Sequence, residues 1–372
     1  PRVYNFSMYD YLIVGPGLFG ESCAYVLHKK GKKVLVIEKK DVVGGGIRTE
    51  RKDGIDVHIY GPHIFHTSDK EVWDFVNQFV TMNDFINCPI ANFHGKLFHL
   101  PFNMNTFVDM WGISDPEVAK KKIQSQIEES GIKEPKNLEE QAISMVGTDI
   151  YETLVKGYTE KQWGRPCKEL PKEIIKRLPV RFTFNNNYFN DTYQGVPKEG
   201  YTALIEKLLE GVEVRTSTDY FQEEDHFRHL ASKMIFTGMI DQFYHLQLGK
   251  LDYSTLRFES ERLEQRDFQG NAVINYTDSE TPYTRIVEHK HFNMVDSPVT
   301  YITKEYSKEY VEGDEAFYPV NNERNSTLYK AYLELSKKDP DVYFAGRLGM
   351  YQYFDMDDTI LAAMKLIERI EG

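Results

Sequence analysis

Apolar residues follow two kinds of pattern at the start of the chain. A continuous apolar run over residues 9–14 leads directly into G-x-G-x-x-G, which begins at Gly15, and apolar positions three or four residues apart follow. Gly31 lies where a left-handed cap would end such a helix. A second apolar run over residues 34–37 ends in Glu38. The pattern predicts a strand, a helix and a second strand, joined by a glycine-rich turn.

Further along the chain, helical spacing of apolar residues gives way to strand-like patterns from about residue 180. Two apolar runs, over residues 233–236 and 342–344, end in glycine-containing turns and are predicted to return to the first domain. The predicted architecture is a discontinuous nucleotide domain with helical and antiparallel-sheet insertions. The predicted helices cover residues 69–82, 116–130, 137–146, 149–158 and 357–370, and the predicted strands cover residues 181–184, 212–216, 256–263, 272–276, 283–288 and 299–306.

The glycines and Glu38 have the arrangement of a dinucleotide site. G-x-G-x-x-G between a strand and a helix permits a tight turn and brings backbone N–H groups and a helix N-terminus against a pyrophosphate. Glu38 is placed to accept both hydroxyls of an adenosine ribose. A second cluster, Gly44 to Gly46, favours FAD over NAD because an extended flavin dinucleotide needs further close approach of the backbone. An ordinary loop with a flexible tip is the alternative for this second cluster.

Composition narrows the class of partner. The 372 residues carry a net charge of −12, which argues against general nucleic-acid binding because that function needs a basic surface. No apolar run has the length of a membrane-spanning helix. Residues 1–7 lack the apolar core of a secretory signal, and Met8 is the expected natural start. Cys23, Cys88 and Cys167 lack metal-ligand spacing, so we predict no metal site and a reduced, cytoplasmic protein.

Two histidines, His63 and His66, lie three residues apart among glycine, proline and aromatic residues. An acid–base role is one interpretation. The other is that the ring of His63 packs beside a flavin. A metal site is not expected because no third ligand lies nearby.

Arginines and tyrosines form the other candidate chemistry. Arg177 and Arg181 flank a proline in a loop-like segment; they are either solvated or supply the two guanidinium forks that match a diphosphate. Residues 157–165 end a helix with aromatic, amide and charged side chains, and Trp163 is either part of a site or buried in the core. No nucleophilic triad, zinc motif or glycosidase-type carboxylate pair occurs in the sequence. Further candidates for an anion site are Arg285, Arg347, Tyr188, Tyr318 and Tyr353.

Several long and chemically unusual strings, in order over almost the whole chain, resemble those of bacterial UDP-galactopyranose mutases. They are GPGLFG, YGPHIFHT, LPFNMNTF, NLEEQAIS, GYTEKQWGR, RLPVRFTFNNNYF, YQGVPKEGYT, NAVINYTD, PYTRIVEHKHF and YPVNN. The resemblance implies an α/β fold with α+β insertions, in a homodimer. Its parts are a discontinuous Rossmann-like FAD domain of the glutathione-reductase type (residues 8–72, 200–250 and 325–372), a helical bundle (residues 103–163) and a twisted antiparallel sheet (residues 83–102, 164–199 and 251–324).

The resemblance also implies an isomerase that interconverts UDP-galactopyranose and UDP-galactofuranose without net redox change, for galactofuranose-containing surface glycans. The flavin must be reduced, and its N5 forms a covalent adduct with the sugar while UDP leaves. Such an adduct agrees with the lack of a protein nucleophile. Some relatives accept UDP-N-acetylgalactosamine, so this sugar nucleotide is a second candidate substrate.

Matching motif to motif, the resemblance assigns roles to individual residues. Residues 164–179 resemble a mobile lid, and Tyr158 resembles the residue that stacks on uracil. The implied catalytic residues are Arg177, Arg285 and His63. The implied substrate-binding residues are Asn87, Tyr158, Thr159, Trp163, Arg177, Tyr188, Arg285, Tyr318 and Tyr353. The implied cofactor-binding residues are Gly15, Gly17, Leu18, Phe19, Gly20, Glu38, Lys39, Gly45, Gly46, His63, Ile64, Gly346, Arg347, Tyr353, Asp355 and Met356.

One departure from the family pattern follows the second glycine cluster. The family commonly has Gly-Gly-Asn-Ala-Tyr where this chain has Gly45, Gly46, Ile47 and Arg48, which changes a local flavin or loop contact. Two alternative functions stay open. One is a flavin oxidoreductase of the amine-oxidase type, which shares the N-terminal fingerprint; the arginines and tyrosines beside GYTEKQW speak against it. The other is a non-catalytic nucleotide-sugar-binding protein that keeps FAD as a structural element.

Overall fold

The computed structural model describes residues 8–372, so the expectations about residues 1–7 lie outside the described residues. Helices and strands are mixed along the chain around two large sheets. The strands are β1 (Tyr9–Val14), β2 (Val34–Ile37), β3 (Thr49–Lys52), β4 (Ile55–His58), β5 (Phe65–Thr67), β6 (Ile90–Phe93), β7 (Lys96–His99), β8 (Tyr193–Gly195), β9 (Glu213–Arg215), β10 (Ala231–Phe236), β11 (Tyr253–Leu263), β12 (Val273–Tyr276), β13 (Arg285–Glu288), β14 (Thr300–Glu309), β15 (Tyr318–Pro319) and β16 (Val342–Phe344). The helices are α1 (Leu18–Lys29), α2 (Lys70–Asn77), α3 (Met104–Trp111), α4 (Pro116–Glu129), α5 (Leu138–Val146), α6 (Thr148–Ile150), α7 (Lys156–Trp163), α8 (Tyr201–Leu208), α9 (Glu224–Leu230), α10 (Ile240–Phe243), α11 (Lys290–Asn293), α12 (Glu323–Ser336), α13 (Gly346–Gly349) and α14 (Met356–Glu371).

A five-stranded parallel sheet, in the order β16-β10-β1-β2-β9, forms the centre of the nucleotide domain. Successive residues of a strand point to opposite faces of the sheet. Tyr11 and Ile13 of β1 therefore join α1 and α14 in one core, while Leu12 joins α9, α10 and α12 in another. Because both faces are covered, the central strands are apolar almost throughout. The predicted first strands, the predicted returns of the chain and the left-handed Gly31 (φ 77°) are confirmed.

The second large sheet has seven strands in the order β15-β11-β14-β13-β12-β6-β7. Neighbouring strands are antiparallel with one exception, the parallel pair β12 and β6. The predicted antiparallel sheet thus contains one parallel junction. The reason is that β6 comes from a distant part of the chain, so no hairpin sets its direction.

Helices α3 to α6 and the residues Tyr151–Val155 that follow them share a third core with residues of β6 and β7. A π-helical turn over Tyr151–Val155 joins α6 to α7, so the predicted helix over residues 149–158 continues to Trp163. Cys167 and Leu170 are buried in the same core, and Ile174, Ile175 and Leu178 pack partly against it. This segment, which we expected to belong to the sheet domain, thus packs on the helices.

Two predicted elements differ from the structure. Helix α2 ends at Asn77 rather than at residue 82, because the Asn77 side chain accepts a hydrogen bond from Met82 N (3.2 Å). Residues 181–184 form no strand, because Arg181 binds carbonyls of its own loop and Phe182 packs on Phe107. The patterns also missed short or weakly periodic elements, among them α3, α8, α9, α12 and the β3–β4 hairpin. None of the described helices combines the length and the apolar character needed to cross a membrane.

Candidate functional site

A cavity of about 390 Å³ lies at the N-terminus of α1. Gly15 adopts φ 81°, and a Cβ there would lie 2.4 Å from Thr237 Oγ1. A Cβ on Gly20 would lie 2.8 Å from Gly15 O. The first and third glycines are therefore required by the protein's own turn and by its helix–strand packing.

Gly17 differs from its neighbours because no atom lies within 4 Å of the position of a Cβ. A Cβ on Gly45 would lie 2.9 Å from Gly17 Cα, so the second glycine cluster comes directly against the first. The space beside Gly17 is thus open to a ligand that contacts two backbone segments. This geometry fits a dinucleotide.

Most of the predicted cofactor-binding residues line this cavity. Gly20 is used in packing, Ile64 is buried next to His63, and Gly346 begins α13 beside Thr237. The Tyr353 hydroxyl donates to Asp355 Oδ1 (2.9 Å) at the start of α14. The predicted residues in the cavity lining are Gly15, Gly17, Leu18, Phe19, Glu38, Lys39, Gly45, Gly46, His63, Arg347 and Met356.

Glu38 lies where β2 ends, and its carboxylate accepts a hydrogen bond from Lys40 N (2.9 Å). Burial raises the pKa of Glu38, and the Lys40 amide and ammonium groups oppose this effect. Lys40 itself pairs with Glu315 (2.8 Å) and donates to the Tyr60 hydroxyl (3.0 Å). The hydrogen bond from Lys40 N thus orients the Glu38 carboxylate at the edge of the cavity.

Arg285 is the centre of a second group of polar side chains. Its Nε donates to Glu305 Oε2 (2.9 Å), and the Glu305 side chain is buried. Burial alone would lower the pKa of Arg285, but Glu305, Tyr158 and Tyr318 raise it above its ordinary value. The guanidinium of Arg285 therefore stays charged. Glu305 binds its Nε edge, and the ion pair leaves the opposite edge to other partners.

Tyrosines surround this guanidinium. Burial raises the pKa of Tyr158 to about 12, against the positive charge of Arg285, and Tyr188 and Tyr318 add to the increase. Tyr318 packs against Tyr353, with ring centroids 5.9 Å apart. The Tyr158 phenol therefore stays neutral at ordinary pH. Each of these tyrosines has an O–H group that is suited to donate to an anion.

Arg347 connects the cavity to the tyrosines. It lines the cavity, its guanidinium lies over the rings of Tyr353 (4.6 Å) and Tyr318 (5.3 Å), and Nε and Nη2 donate to Phe354 O (2.9 and 2.6 Å). The two carbonyl contacts fix the plane of the guanidinium. The cavity and the cleft around Arg285 are therefore adjoining parts of one site.

His63 lies between these parts. Its Nδ1 is 2.9 Å from Gly61 O, so the proton resides on Nδ1 and Nε2 is an acceptor. Burial, followed by the charge of Arg347, lowers the pKa of His63 to about 4. His63 is accordingly a neutral ring at the cavity wall, which favours the packing role over that of a general acid. His66 points elsewhere: it pairs with Asp191 (2.5 Å) and stacks on Phe189.

Helix α7, which carries Tyr158 and the buried Thr159, is fixed on the β12–β13 hairpin by residues that the sequence patterns did not single out. Lys161 Nζ donates to Tyr276 O (2.7 Å) and Tyr283 O (2.9 Å), one carbonyl on each side of the loop that joins the two strands. Burial lowers the pKa of Lys161 to about 8. A Cβ on Gly157 would lie 2.3 Å from Thr277 O, so only glycine permits this approach.

Asn275 and Glu305 are two further residues that sequence reasoning missed. Asn275 is paired with Arg285 across β12 and β13, and its Oδ1 is buried with no hydrogen-bond partner among the described residues. An unpaired buried acceptor beside the arginine cleft is suited to accept a hydrogen bond from a bound ligand. The string NAVINYTD contains Asn275 and was the available signal; Glu305 had none.

Some predicted site residues are not brought into this cluster. Arg177 is exposed on residues 171–179, and its side chain forms no hydrogen bond or ion pair among residues 8–372. Trp163 is 42% exposed, so it is not a core residue. Asn87 lies at the cleft edge, where its carbonyl accepts from Tyr188 N (2.8 Å). Arg181 binds its own loop, not the cleft.

Together, the fold and the site define a dinucleotide-binding protein whose cofactor cavity opens into an arginine- and tyrosine-lined cleft for an anionic ligand. A family described as UDP-galactopyranose mutase matches residues 153–353, and one described as an NAD(P)-binding Rossmann-like domain matches residues 13–79. The chain belongs to the UDP-galactopyranose mutase family and is an enzyme, an isomerase of the mutase type.

Relatives agree over nearly the full length of the chain. A probable UDP-galactopyranose mutase of Klebsiella pneumoniae is 41% identical, covering 95% of this chain and 92% of its own. A dTDP-fucopyranose mutase of Escherichia coli is 36% identical, with 95% and 96% covered. L-Amino-acid oxidases, such as that of Echis ocellatus (36% identical), match only 21% of this chain.

A solved structure supports the fold. The crystal structure of a reduced UDP-galactopyranose mutase superposes with a TM-score of 0.72 and 15% identity, covering 98% of this chain and 96% of that one. The predicted fold class, an α/β Rossmann-like domain with α+β insertions, is confirmed.

Proposed function

We propose that the enzyme interconverts UDP-galactopyranose and UDP-galactofuranose. The observation that carries this proposal is the adjoining position of the glycine cavity and the Arg285 cleft, linked by His63 and Arg347. A nucleotide sugar in the cleft would place its anomeric carbon toward the cavity, where a redox cofactor belongs. The cofactor cavity and the substrate cleft together are sufficient for an exchange of bonds at the anomeric carbon.

FAD is the proposed cofactor. The open space at Gly17, the approach of Gly45 to it and the half-buried Glu38 fit a dinucleotide that crosses two glycine segments. His63, Arg347 and Met356 would contact the end that reaches the cleft. Reduced flavin, when bound, supplies a nucleophilic nitrogen, N5, for the anomeric carbon and thereby replaces a protein nucleophile. The requirement for the reduced form follows from the family resemblance.

The protein's own residues would bind and orient the substrate and stabilise the leaving group. Negative charge grows on the diphosphate as its bond to the sugar breaks, and Arg285 is already charged and oriented by Glu305. Tyr318, Tyr188 and Tyr353 would donate to the same anion. Tyr158 would stack on the base. Closure of residues 171–179 would add Arg177, which is exposed in this structure.

The finer parts of the proposal rest on family membership. They are a homodimer, a cytoplasmic location, supply of galactofuranose for surface glycans, and use of UDP-N-acetylgalactosamine as a second substrate. The three cysteines, none in a disulfide, support a reducing compartment. The E. coli relative named for dTDP-fucopyranose makes that sugar nucleotide a further candidate.

The decisive experiment is incubation of the purified enzyme with UDP-galactofuranose, with and without dithionite, followed by chromatography of the products. Formation of UDP-galactopyranose only after reduction is the expected result. UDP binding without conversion in either state would support a nucleotide-sugar-binding protein. Parallel reactions with UDP-N-acetylgalactosamine and dTDP-fucopyranose rank the three candidate substrates.

An amine-oxidase type of activity is disfavoured by two observations. The likeness to L-amino-acid oxidases is confined to about a fifth of the chain, whereas the mutase relatives cover nearly all of it. The cleft also places a charged arginine and several phenols next to the cavity. Oxygen consumption with amino acids as substrates would overturn this interpretation.

A further inference from the structure

Arg181 has an unusually complete set of acceptors for a residue outside the cleft. Its Nη1 donates to Asn185 O (3.2 Å) and to Asn187 O, and its Nη2 donates to Asn190 Oδ1 (2.8 Å) and, at greater length, to Tyr188 O (3.5 Å). All four acceptors belong to one loop, residues 185–190, which has no helix or strand. The guanidinium therefore replaces the backbone ladder that regular structure would provide.

Side chains of the same loop extend this arrangement to Asn87. Asn187 Oδ1 accepts from Phe189 N (3.2 Å) and from Gln194 Nε2 (2.8 Å). Gln194 Oε1 in turn accepts from Asn87 N (2.9 Å), and Asn87 O accepts from Tyr188 N (2.8 Å). The hydrogen bonds close a ring, so a shift of the loop moves Asn87 and Tyr188 together.

Few other contacts hold the side chain of Tyr188 in place. Its side chain is 50% exposed, and its ring contacts Phe189 edge to face at 5.4 Å. Its electrostatic influence on Tyr158 places it at the cleft. The position of this hydroxyl relative to a bound ligand is consequently set by the backbone of residues 185–190, and Arg181 holds that backbone.

We propose that Arg181 is a positioning residue, which acts on the nucleotide sugar through Tyr188 and Asn87 without touching it. The inference rests on the proposed function, because it assumes that Tyr188 contacts the substrate. Lysine is a point charge with three donors, and it cannot reach acceptors on both sides of the loop as the planar fork does. The loop contacts thus explain why residue 181 is an arginine, without a role for it in diphosphate binding.

The test is a double-mutant cycle with Arg181→Lys, Tyr188→Phe and the double variant. It is measured both on UDP affinity of the oxidised enzyme and on kcat/KM of the reduced one. We expect each single change to lose about tenfold, the effect of one lost hydrogen bond, with FAD content unchanged. The double variant should lose far less than the product of the two single losses, because Arg181 acts largely through Tyr188.

Multiplied losses in the double variant, or wild-type behaviour of Arg181→Lys, would overturn the inference. Arg266→Lys is the matched control, since Arg266 is exposed and pairs with the exposed Asp296 (2.5 Å) outside the site. Asn190→Ala removes one acceptor and leaves Arg181 in place, and it should lose about two- to threefold, which covers the case that Arg181→Lys fails to fold. An enzyme that binds UDP but converts no substrate would refute the proposed function alone, because the affinity cycle still judges Arg181.

Discussion

Arg285 is a residue with two simultaneous tasks, and the tasks require its particular shape. Glu305 takes one edge of the guanidinium, and the proposed diphosphate takes the other. Lysine keeps the charge but cannot serve both partners at once. Alanine would be a poorer test, because it leaves the buried Glu305 carboxylate without its partner and destabilises the fold.

We therefore expect Arg285→Lys to keep its fold and FAD and to lose roughly 100- to 1000-fold in turnover, as when a donor to a developing charge is removed. The measurement is kcat of the dithionite-reduced enzyme, with flavin absorbance as the check on cofactor content. Arg257→Lys is the control, since Arg257 pairs with Glu259 on an exposed part of β11. More than a tenth of wild-type turnover would place the diphosphate elsewhere.

Glu21 presents the opposite case, a buried charge-bearing group without a partner. Its side chain is fully buried, and neither carboxyl oxygen has a hydrogen-bond partner among the described residues. Burial, followed by the charge of Glu38, raises its pKa well above the ordinary value of 4.5. The folded protein therefore holds Glu21 neutral at a pH where the unfolded chain has ionised it.

The sign of the consequence follows from proton linkage. Above about pH 4.5 the folded state binds the extra proton, so the stability contributed by Glu21 falls as pH rises toward the folded pKa. Glu21→Gln removes this dependence. We expect its melting temperature to exceed that of the wild type at pH 7, by about 2 °C or more, and the difference to vanish near pH 4. An equal difference at both pH values would mean that Glu21 is ionised in the fold.

At the scale of elements, α7 and the β12–β13 hairpin form one unit, because Lys161 binds a carbonyl on each side of the hairpin loop. Tyr158 lies three residues before Lys161, and Arg285 lies two residues after Tyr283. We expect Lys161→Met to weaken UDP binding about tenfold while FAD content is unchanged. Calorimetry with UDP measures this effect, and the exposed Lys168→Met is the control. Unaltered UDP affinity would show that Gly157 alone sets the position of α7.

The expected lid has a different character in its two halves. In the first half of residues 164–179, the segment that resembles a mobile lid, Cys167 and Leu170 are buried. Residues 171–179 are mostly exposed. Trypsin should therefore cut the free enzyme after Lys172, Lys176 or Arg177, and UDP should suppress this cleavage. Cutting at the exposed Arg266 is the internal control. Equal cleavage after Arg177 with and without UDP would contradict a closing segment.

Local elements were predictable from sequence to the extent that one residue pattern determined them. The apolar run of β1, the glycines and Glu38 all lie within a short stretch, so the nucleotide domain could be derived. The acceptors of Arg181 are close in sequence but are mostly backbone carbonyls of an irregular loop, which no side-chain pattern marks. Glu305, the partner of Arg285, comes from a separate strand, so the spacing of side chains holds no information about it. For the same reason, Lys161 and Glu305 could not be recognised from sequence patterns.

At the scale of the whole molecule, cofactor binding and folding can be separated at Gly17. Valine there meets no protein atom within 4 Å at its Cβ, and the backbone (φ −76°, ψ −175°) suits a β-branched residue. We expect Gly17→Val to fold, to be colourless and to melt like wild-type protein stripped of FAD. Gly20→Ala is the contrast, because its Cβ would press on Gly15 O and lower the stability of the fold. A yellow Gly17→Val protein would place FAD away from α1.

The five-stranded sheet has a consequence for how the chain is made. Its central strand β1 is synthesised before both inserted domains, whereas the edge strand β16 and the covering helix α14 are synthesised after them. Until then, β10 exposes an unpaired edge, and Arg347 and Met356 are missing from the cavity. Unpaired edges recruit other strands. The first domain therefore stays incomplete while both inserted domains are synthesised, and its nucleotide site is complete only once α13 and α14 have followed them.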